Sequence, residues 1–378
     1  MTDAGLVDRV RRRLAVDDAG PLDEVVRAES DGIVDDTVFA ALRRDVEAEL
    51  HGAGPLEPLL ALPGVTDVLV NAPDTVWLDR GHGMERAAVS FADDAAVRRL
   101  AQRLVAGAGA RLDDAMPYAD AVLRDGTRVH AVLPPLAAHT TISLRVLARR
   151  PLDLAALVAG GAMPAQIGTV LRAVLAARVA FVISGGTGSG KTTLLGAVLA
   201  TVPATERVLL IEDAPELTVA HPHVVRLVTR GANVEGAGSI GLRDLVRQAL
   251  RMRPDRLVVG EFRGAEMVEL LVALNTGHEG CAATLHANSA ADVPARFTAL
   301  GALAGLPAAA VTSLVASAIE VVVHLRRARD GRRAVAEIGL LSRSGDSLTV
   351  ESAWTASCGE GAAGARLREL LRARGVVL

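Results

Sequence analysis

The sequence predicts an α/β protein: a core with a mainly parallel sheet and helices on both faces, preceded by a smaller α+β domain. Three observations lead there. Between Arg178 and His286, apolar strand-like runs alternate with helix-patterned stretches, the order expected of parallel strands joined by crossover helices. One strand-to-helix joint carries GGTGSGKT at 185–192, a match to G-x-x-x-x-G-K-[ST] in its required context. From Pro55 to Val146 the texture changes to short strands and hairpin-type turns around one helix. A chain of 378 residues is long enough for two domains. Half of the residues are apolar but only 2% are aromatic, so the core has to be built from Ala, Val and Leu.

Residues 1–50 form a helical N-terminal segment. Val7, Val10 and Leu14, then Val38, Leu42, Val46 and Leu50, keep helical spacing amid alternating charge, as in small solvent-facing helices. The run Arg11-Arg12-Arg13 reads as a solvated face. Residues 51–148 form the α+β domain. Its strands are Val65–Val70 and Thr75–Leu78 around the Asn71–Asp74 turn, Thr127–Val132 after Asp125-Gly126, and Ile142–Val146. Ala95–Ala108 is its helix. Arg149-Arg150-Pro151 breaks the pattern, since proline cannot hold a central ladder position, and a linker is expected around 147–152. The core domain then spans 149–345, and residues 346–378 are set apart as a C-terminal tail.

Composition narrows the function classes. A net charge of −3 gives no overall basic field of the kind that marks nucleic-acid binding. Cys281 and Cys358 lie far apart and make neither a metal cluster nor a disulfide framework, which fits a reducing compartment. The N-terminus, MTDAGLVDRVRRRL, carries charges where a signal peptide has its apolar stretch. Leu306–Leu325 is interrupted by Pro307, Thr312, Ser313, Ser317 and Glu320, so no membrane-spanning helix is expected.

The chemistry centres on the glycine-rich loop. Glycines let successive backbone N–H groups turn toward a polyphosphate, and the helix that follows adds its positive N-terminal end. The loop residues are Gly185, Gly186, Thr187, Gly188, Ser189, Gly190, Lys191, Thr192 and Thr193. Lys191 is suited to the β/γ-phosphates of ATP, and the Thr192 hydroxyl to Mg²⁺. Lys191 is the only lysine among 41 basic residues, all others being arginine. A compact ammonium is wanted at that position, and a planar guanidinium does not replace it conservatively.

Glu212, Glu261 and His286 follow separate apolar runs and so fall at the carboxyl ends of strands, where ligand chemistry gathers in such sheets. Two carboxylates beside a phosphate loop can serve the Mg²⁺ ion and the attacking water. Gly260 stands where the usual Mg²⁺-linked aspartate would be. Asp255 precedes its strand and lies at the wrong end, while Asp213 is a supporting residue. His278 and His286 lack a third ligand at metal spacing, and His286 fits better as a hydrogen-bonding sensor of the γ-phosphate.

Four motifs give the chain a family resemblance: GGTGSGKTT at 185–193, IEDAPEL at 211–217, RMRPDRLVVGEFRGAE at 251–266 and GHEGCAATLHANS at 277–289. Together they resemble the ATPases of the type II/type IV secretion superfamily. GPLEPLL at 54–60, DGTRVHAVLPPL at 125–136 and ISLRV at 142–146 look like the front domain of its tight-adherence (Tad/Flp) pilus branch. The resemblance implies a RecA-like P-loop core, ATP and Mg²⁺ as ligands, and a homo-hexameric ring with nucleotide bound between the two domains. It implies Glu261 as catalytic glutamate, Glu212 acting on Mg²⁺-bound water, and His286 sensing nucleotide, with the division between the glutamates open. It makes Arg128 and Arg145 of the front domain candidates for the phosphates, and Arg243 and Arg263 further arginine contacts. A tetracysteine zinc module found in some relatives is absent. The implied function is an Mg²⁺-dependent ATPase motor for pilus assembly or protein secretion. It would sit in the cytoplasm at the inner membrane through platform partners, without inserting and without nucleic acid. A DNA-translocating ATPase of a conjugation-type system and a nucleotide-bound scaffold without turnover are the rival readings.

Overall fold

The computed structural model describes residues 4–14, 21–30, 35–50, 52–81, 83–146, 151–231, 238–328, 330–345 and 347–378. The chain divides into two compact units, Met1–Leu147 and Ala148–Leu378. The linker expected at 147–152 falls largely outside the described residues.

The first unit opens with α1 (Ala4–Leu14), α2 (Leu22–Glu29) and α3 (Asp36–Leu50). These helices do more than face solvent. Leu6, Val10, Val25, Val26, Phe39 and Val46 bury against one another, giving the segment a small core of its own. A short helix, α4 (Glu57–Leu60), leads into β1 (Asp67–Ala72), β2 (Thr75–Asp79) and β3 (Met84–Arg86). Then come α5 (Asp94–Gly107), β4 (Tyr118–Val122), β5 (Arg128–Val132) and β6 (Thr141–Arg145). Among the described residues these strands make one antiparallel sheet of order β3-β2-β1-β6-β5-β4. Alternate residues of the strands are buried, Val68 and Val70 on β1 and Ile142 and Leu144 on β6 among them. They pack with Val97, Leu100, Ala101 and Leu104 of α5, whose N-terminus is capped by the Asp93 carboxylate accepting from Ala96 N–H. Both hairpin turns read from the sequence are present, β1–β2 across Asn71–Asp74 and β4–β5 across Asp125-Gly126.

The second unit begins with α6 (Leu154–Ala159) and α7 (Ala165–Ala176), separated at Gly160-Gly161. The chain turns at Arg178, which adopts φ 52°, so β7 (Phe181–Gly185) starts two residues later than the apolar run does. Next come α8 (Lys191–Leu199), β8 (Val208–Glu212), β9 (Val224–Val228), α9 (Leu242–Ala249), β10 (Arg256–Val259), α10 (Glu266–Leu274) and β11 (Ala282–Leu285). Two helices, α11 (Val293–Leu303) and α12 (Ala308–Ala318), precede β12 (Val321–Arg327). The chain closes with β13 (Arg333–Ser344), β14 (Ser347–Thr355), β15 (Gly359–Glu360) and α13 (Gly364–Ala373).

These strands form a single sheet of order β15-β14-β13-β12-β7-β11-β10-β8-β9 among the described residues. From β12 to β9 every pairing is parallel, and β12 to β15 is antiparallel. Successive residues of β7 go to opposite faces: Phe181 and Ile183 pack with Leu171, Leu194 and Val198, while Val182 packs with Leu245, Met267 and Phe297. A strand covered on both sides has to be apolar throughout, and β7, β8, β10 and β11 are buried along their whole length. The α/β expectation is met.

Residues 347–378 are not a separate tail. β14 pairs with β13 along its length, and Trp354, Leu367 and Leu371 belong to the same core as Phe181 and Leu194. Leu306–Leu325, which changes from helical to strand-like composition, becomes α12 followed by β12. No helix among the described residues is long and apolar enough to cross a membrane. Cys281 is buried, and burial pushes its thiol up to about 12, which makes it inert; Cys358 is exposed.

Candidate active site

The sheet places the motif residues at one edge. β7 ends in the glycine-rich loop, its neighbour β11 ends beside His286, and β10, next to β11, ends beside Glu261. β8, next to β10, ends in Glu212. All four strands run parallel, so their carboxyl ends coincide.

The loop geometry needs glycine at Gly185. Its φ is 154°, and a β-carbon there would lie 2.6 Å from both the Leu325 carbonyl oxygen and Ser189 Oγ. Gly190 stands at φ 95° as the N-cap of α8, so the first N–H groups of that helix face out of the loop. Lys191, only 7% exposed, lays its ammonium across the loop. Nζ donates to the carbonyls of Gly185 at 3.0 Å and Gly186 at 3.1 Å, and stands 3.4 Å from His286 Nε2. Burial pulls the Lys191 pKa down, against the attraction of Glu261 and Glu216. A bound polyphosphate would favour the charged ammonium, so binding at high pH takes up a proton. The affinity for ADP is therefore expected to fall as pH rises, starting below the 10.5 of an ordinary lysine. Titrations across the alkaline range check this. Because Lys191 is the sole lysine, Lys191→Ala removes the slope if the assignment is right.

Glu261 is the hub of the site. Its Oε1 lies 2.6 Å from His286 Nε2, and its Oε2 accepts from Arg263 Nε at 2.8 Å. Arg263 also reaches Asp213 Oδ2 at 3.1 Å. Burial and the neighbouring Lys191 push the His286 pKa down.

Glu212 is placed differently. It is 3% exposed, and its Oε1 accepts from the N–H groups of Glu216 at 2.9 Å and Leu217 at 2.7 Å, folding the acidic box back on itself. Oε2 faces Arg226 Nε at 2.9 Å as an ion pair without an aligned hydrogen bond, so this buried oxygen keeps unused acceptor capacity. Burial raises the Glu212 pKa, offset by those two N–H groups and Arg226. The space a β-carbon at Gly260 would take is closed by Glu212 Cγ, 3.0 Å away. Glycine at 260 leaves room for the Glu212 side chain of the neighbouring strand β8.

A cleft of about 560 Å³ opens beside the loop, lined by Gly186, Thr187, His286, Asn288, Asp292 and Arg296. Asp292 lies just before α11 and Arg296 on it, and neither belongs to the motifs read from the sequence. The structure thus gathers Gly185–Thr193, Glu261, Arg263 and His286, with Glu212 packed against Gly260. Arg243 is not among them: its Nε donates to Glu269 Oε1 at 2.8 Å, which Arg247 shares at 2.8 Å. Arg128 and Arg145 belong to the first unit, where they are cross-strand partners on β5 and β6, and Arg145 Nε donates to Asp67 Oδ1 at 3.0 Å.

The comparisons with known proteins accord with this geometry. The profile of the family described as type II/IV secretion system protein matches residues 49–371. The chain belongs to that family. A putative conjugal transfer protein of Mycobacterium tuberculosis (strain H37Rv) is 53% identical over 346 residues, covering 90% of this chain and 98% of the relative. The type IV secretion system protein VirB11 of Brucella suis is 31% identical over 332 residues, covering 78% and 90%. Among solved structures, the pilus retraction motor PilT with bound ADP aligns with a TM-score of 0.54 at 20% identity, over 75% of this chain and 80% of that one. At that identity the likeness bears on the fold, a front domain followed by a P-loop ATPase core.

Proposed function

We propose that this protein is an Mg²⁺-dependent ATPase motor that powers pilus assembly or protein secretion, hydrolysing ATP to ADP and phosphate. The observation that carries the reading is the meeting of Lys191, Glu261 and His286 at the carboxyl ends of adjacent parallel strands, beside an anion-binding helix N-terminus. Lys191 and the loop N–H groups would hold the phosphates. Glu261 would orient the attacking water and take up its proton, and His286, beside Glu261, would register the γ-phosphate. Hydroxyl and carboxylate oxygens suit Mg²⁺, and the buried Glu212 Oε2 has acceptor capacity left. Thr192 would therefore hold the ion together with the phosphates, and Glu212 through water. When bound, Mg²⁺ neutralises charge on the phosphates.

The wider setting follows by family likeness. Six copies would form a ring, with Arg128 and Arg145 of the front domain serving the nucleotide, at the cytoplasmic face of the inner membrane beside platform proteins. The front-domain motifs favour the tight-adherence branch. The M. tuberculosis relative, a putative conjugal transfer protein, favours a second setting, a conjugation-type system. A phosphate-release assay at low salt, with and without DNA, separates the two. Unstimulated turnover supports secretion or pilus assembly, and marked stimulation by DNA supports translocation of nucleic acid.

A further inference from the structure

A polar row crosses the apolar core at the end of β7. Leu285 on β11, Ser184 on β7, His324 on β12 and Glu337 on β13 are register partners in turn. Ser184 and His324 follow Val182 and Val322 by two residues and so share their face of the sheet, which packs with Phe297 of α11 and Val315 of α12. Ser184 is fully buried and His324 is 6% exposed. Ser184 Oγ lies 2.9 Å from His324 Nδ1, a hydrogen bond between residues 140 apart in the chain. Burial pushes the His324 pKa down, offset by Glu337, the Asn288 backbone and Asp292, while Arg326 adds to the fall. A backbone group that favours the protonated ring is an acceptor, so it is the Asn288 carbonyl that faces the imidazole. Asn288 and Asp292 line the cleft together with His286. The ring therefore stands between two parts of the site: Ser184, which directly precedes the phosphate loop, and the turn that follows His286. Burying an imidazole costs free energy unless partners satisfy it, and a valine or leucine would fill the same place without that cost.

We propose that His324 is a positioning residue for ATP hydrolysis: it ties the turn after His286 to the strand that carries the phosphate loop, and so holds His286 beside Lys191 and Glu261. Being buried, it acts through His286 and not on the phosphates. His286 Nε2 stands 3.4 Å from Lys191 Nζ and 2.6 Å from Glu261 Oε1. A displacement of about 1 Å in such a group can cost about 10²-fold in rate. The inference rests on the reading of this site as hydrolytic and adds what keeps its histidine in place.

The test is steady-state phosphate release and ADP titration on the full chain. His324→Leu fills the space without the hydrogen bonds and should lower kcat by about 10–10²-fold. KM and ADP affinity should stay at their wild-type values, because the loop keeps Lys191 and its backbone groups. His324→Gln places an amide where Nε2 lies, keeps the reach to Asn288 and should recover most of the lost turnover. His324→Asn places one where Nδ1 lies, keeps only the Ser184 bond and should recover little. In a His286→Ala background, His324→Leu should cause almost no further loss, since both act through one group. A histidine that only supports the fold would instead add its loss to that of His286→Ala. Wild-type kcat in folded His324→Leu, ADP affinity falling in step with kcat, or additive losses in the double variant overturns the proposal. Should His324→Leu fail to fold, the order of Gln above Asn decides, and equal turnover in those two overturns it. Wild-type protein that binds ADP but releases no phosphate refutes the hydrolytic reading itself, and the role of His324 falls with it.

Discussion

Replacing Lys191 by alanine is expected to lower ATP turnover by about 10²–10³-fold or more, the usual cost of removing a group aimed at developing phosphate charge. The chain has no second lysine to compensate. The ammonium is buried and held by two loop carbonyls at 3.0 and 3.1 Å, so it is already oriented across the cradle. Its loss also frees those carbonyls and removes the cation beside His286. Nucleotide affinity should therefore fall along with turnover. Steady-state phosphate release and ADP titration on one preparation measure both, and wild-type turnover in this variant would dismiss the site.

Glu261→Gln is expected to separate binding from chemistry. Glutamine keeps the shape and can still accept from Arg263 through its one carbonyl oxygen, but it cannot take a proton from water. Turnover should fall about 10²–10⁴-fold, the range for a general base, while ADP affinity stays near that of wild type. Glu212→Gln should behave less cleanly. Glu212 shapes the acidic box through Glu216 and Leu217 and fills the space at Gly260, so its loss mixes folding with function. The contrast between the two variants is how the two glutamates can be told apart.

What the sequence disclosed, and what it did not, follows from how far apart the partners lie. The phosphate loop is contiguous, and each of its residues answers to local physics, so its chemistry could be read residue by residue. Strand ends were legible because buried parallel strands are short apolar runs, and a polar residue closing one stands out. Glu261, Glu212 and His286 were found that way. Gly260 looked like a missing aspartate, since nothing local reveals that Glu212 reaches over from β8. The Arg263 link to Asp213, and the Arg226 contact with Glu212, depend on strand neighbours and were equally hidden. His324 lies 140 residues beyond Ser184, and only the pairing of β12 with β7 brings the two together. Residues 346–378 carried no signal of their own and were set apart as a tail; pairing with β13 is what makes that stretch part of the core.

The claim underlying the whole account is that Glu261, His286 and the loop make a working hydrolytic site. Steady-state phosphate release by the purified full-length protein with ATP and Mg²⁺ tests it most directly. The account predicts saturable release that chelation of the metal stops and Glu261→Gln nearly abolishes. No detectable release from assembled protein that binds ADP, or equal release from the Glu261→Gln variant, would contradict it.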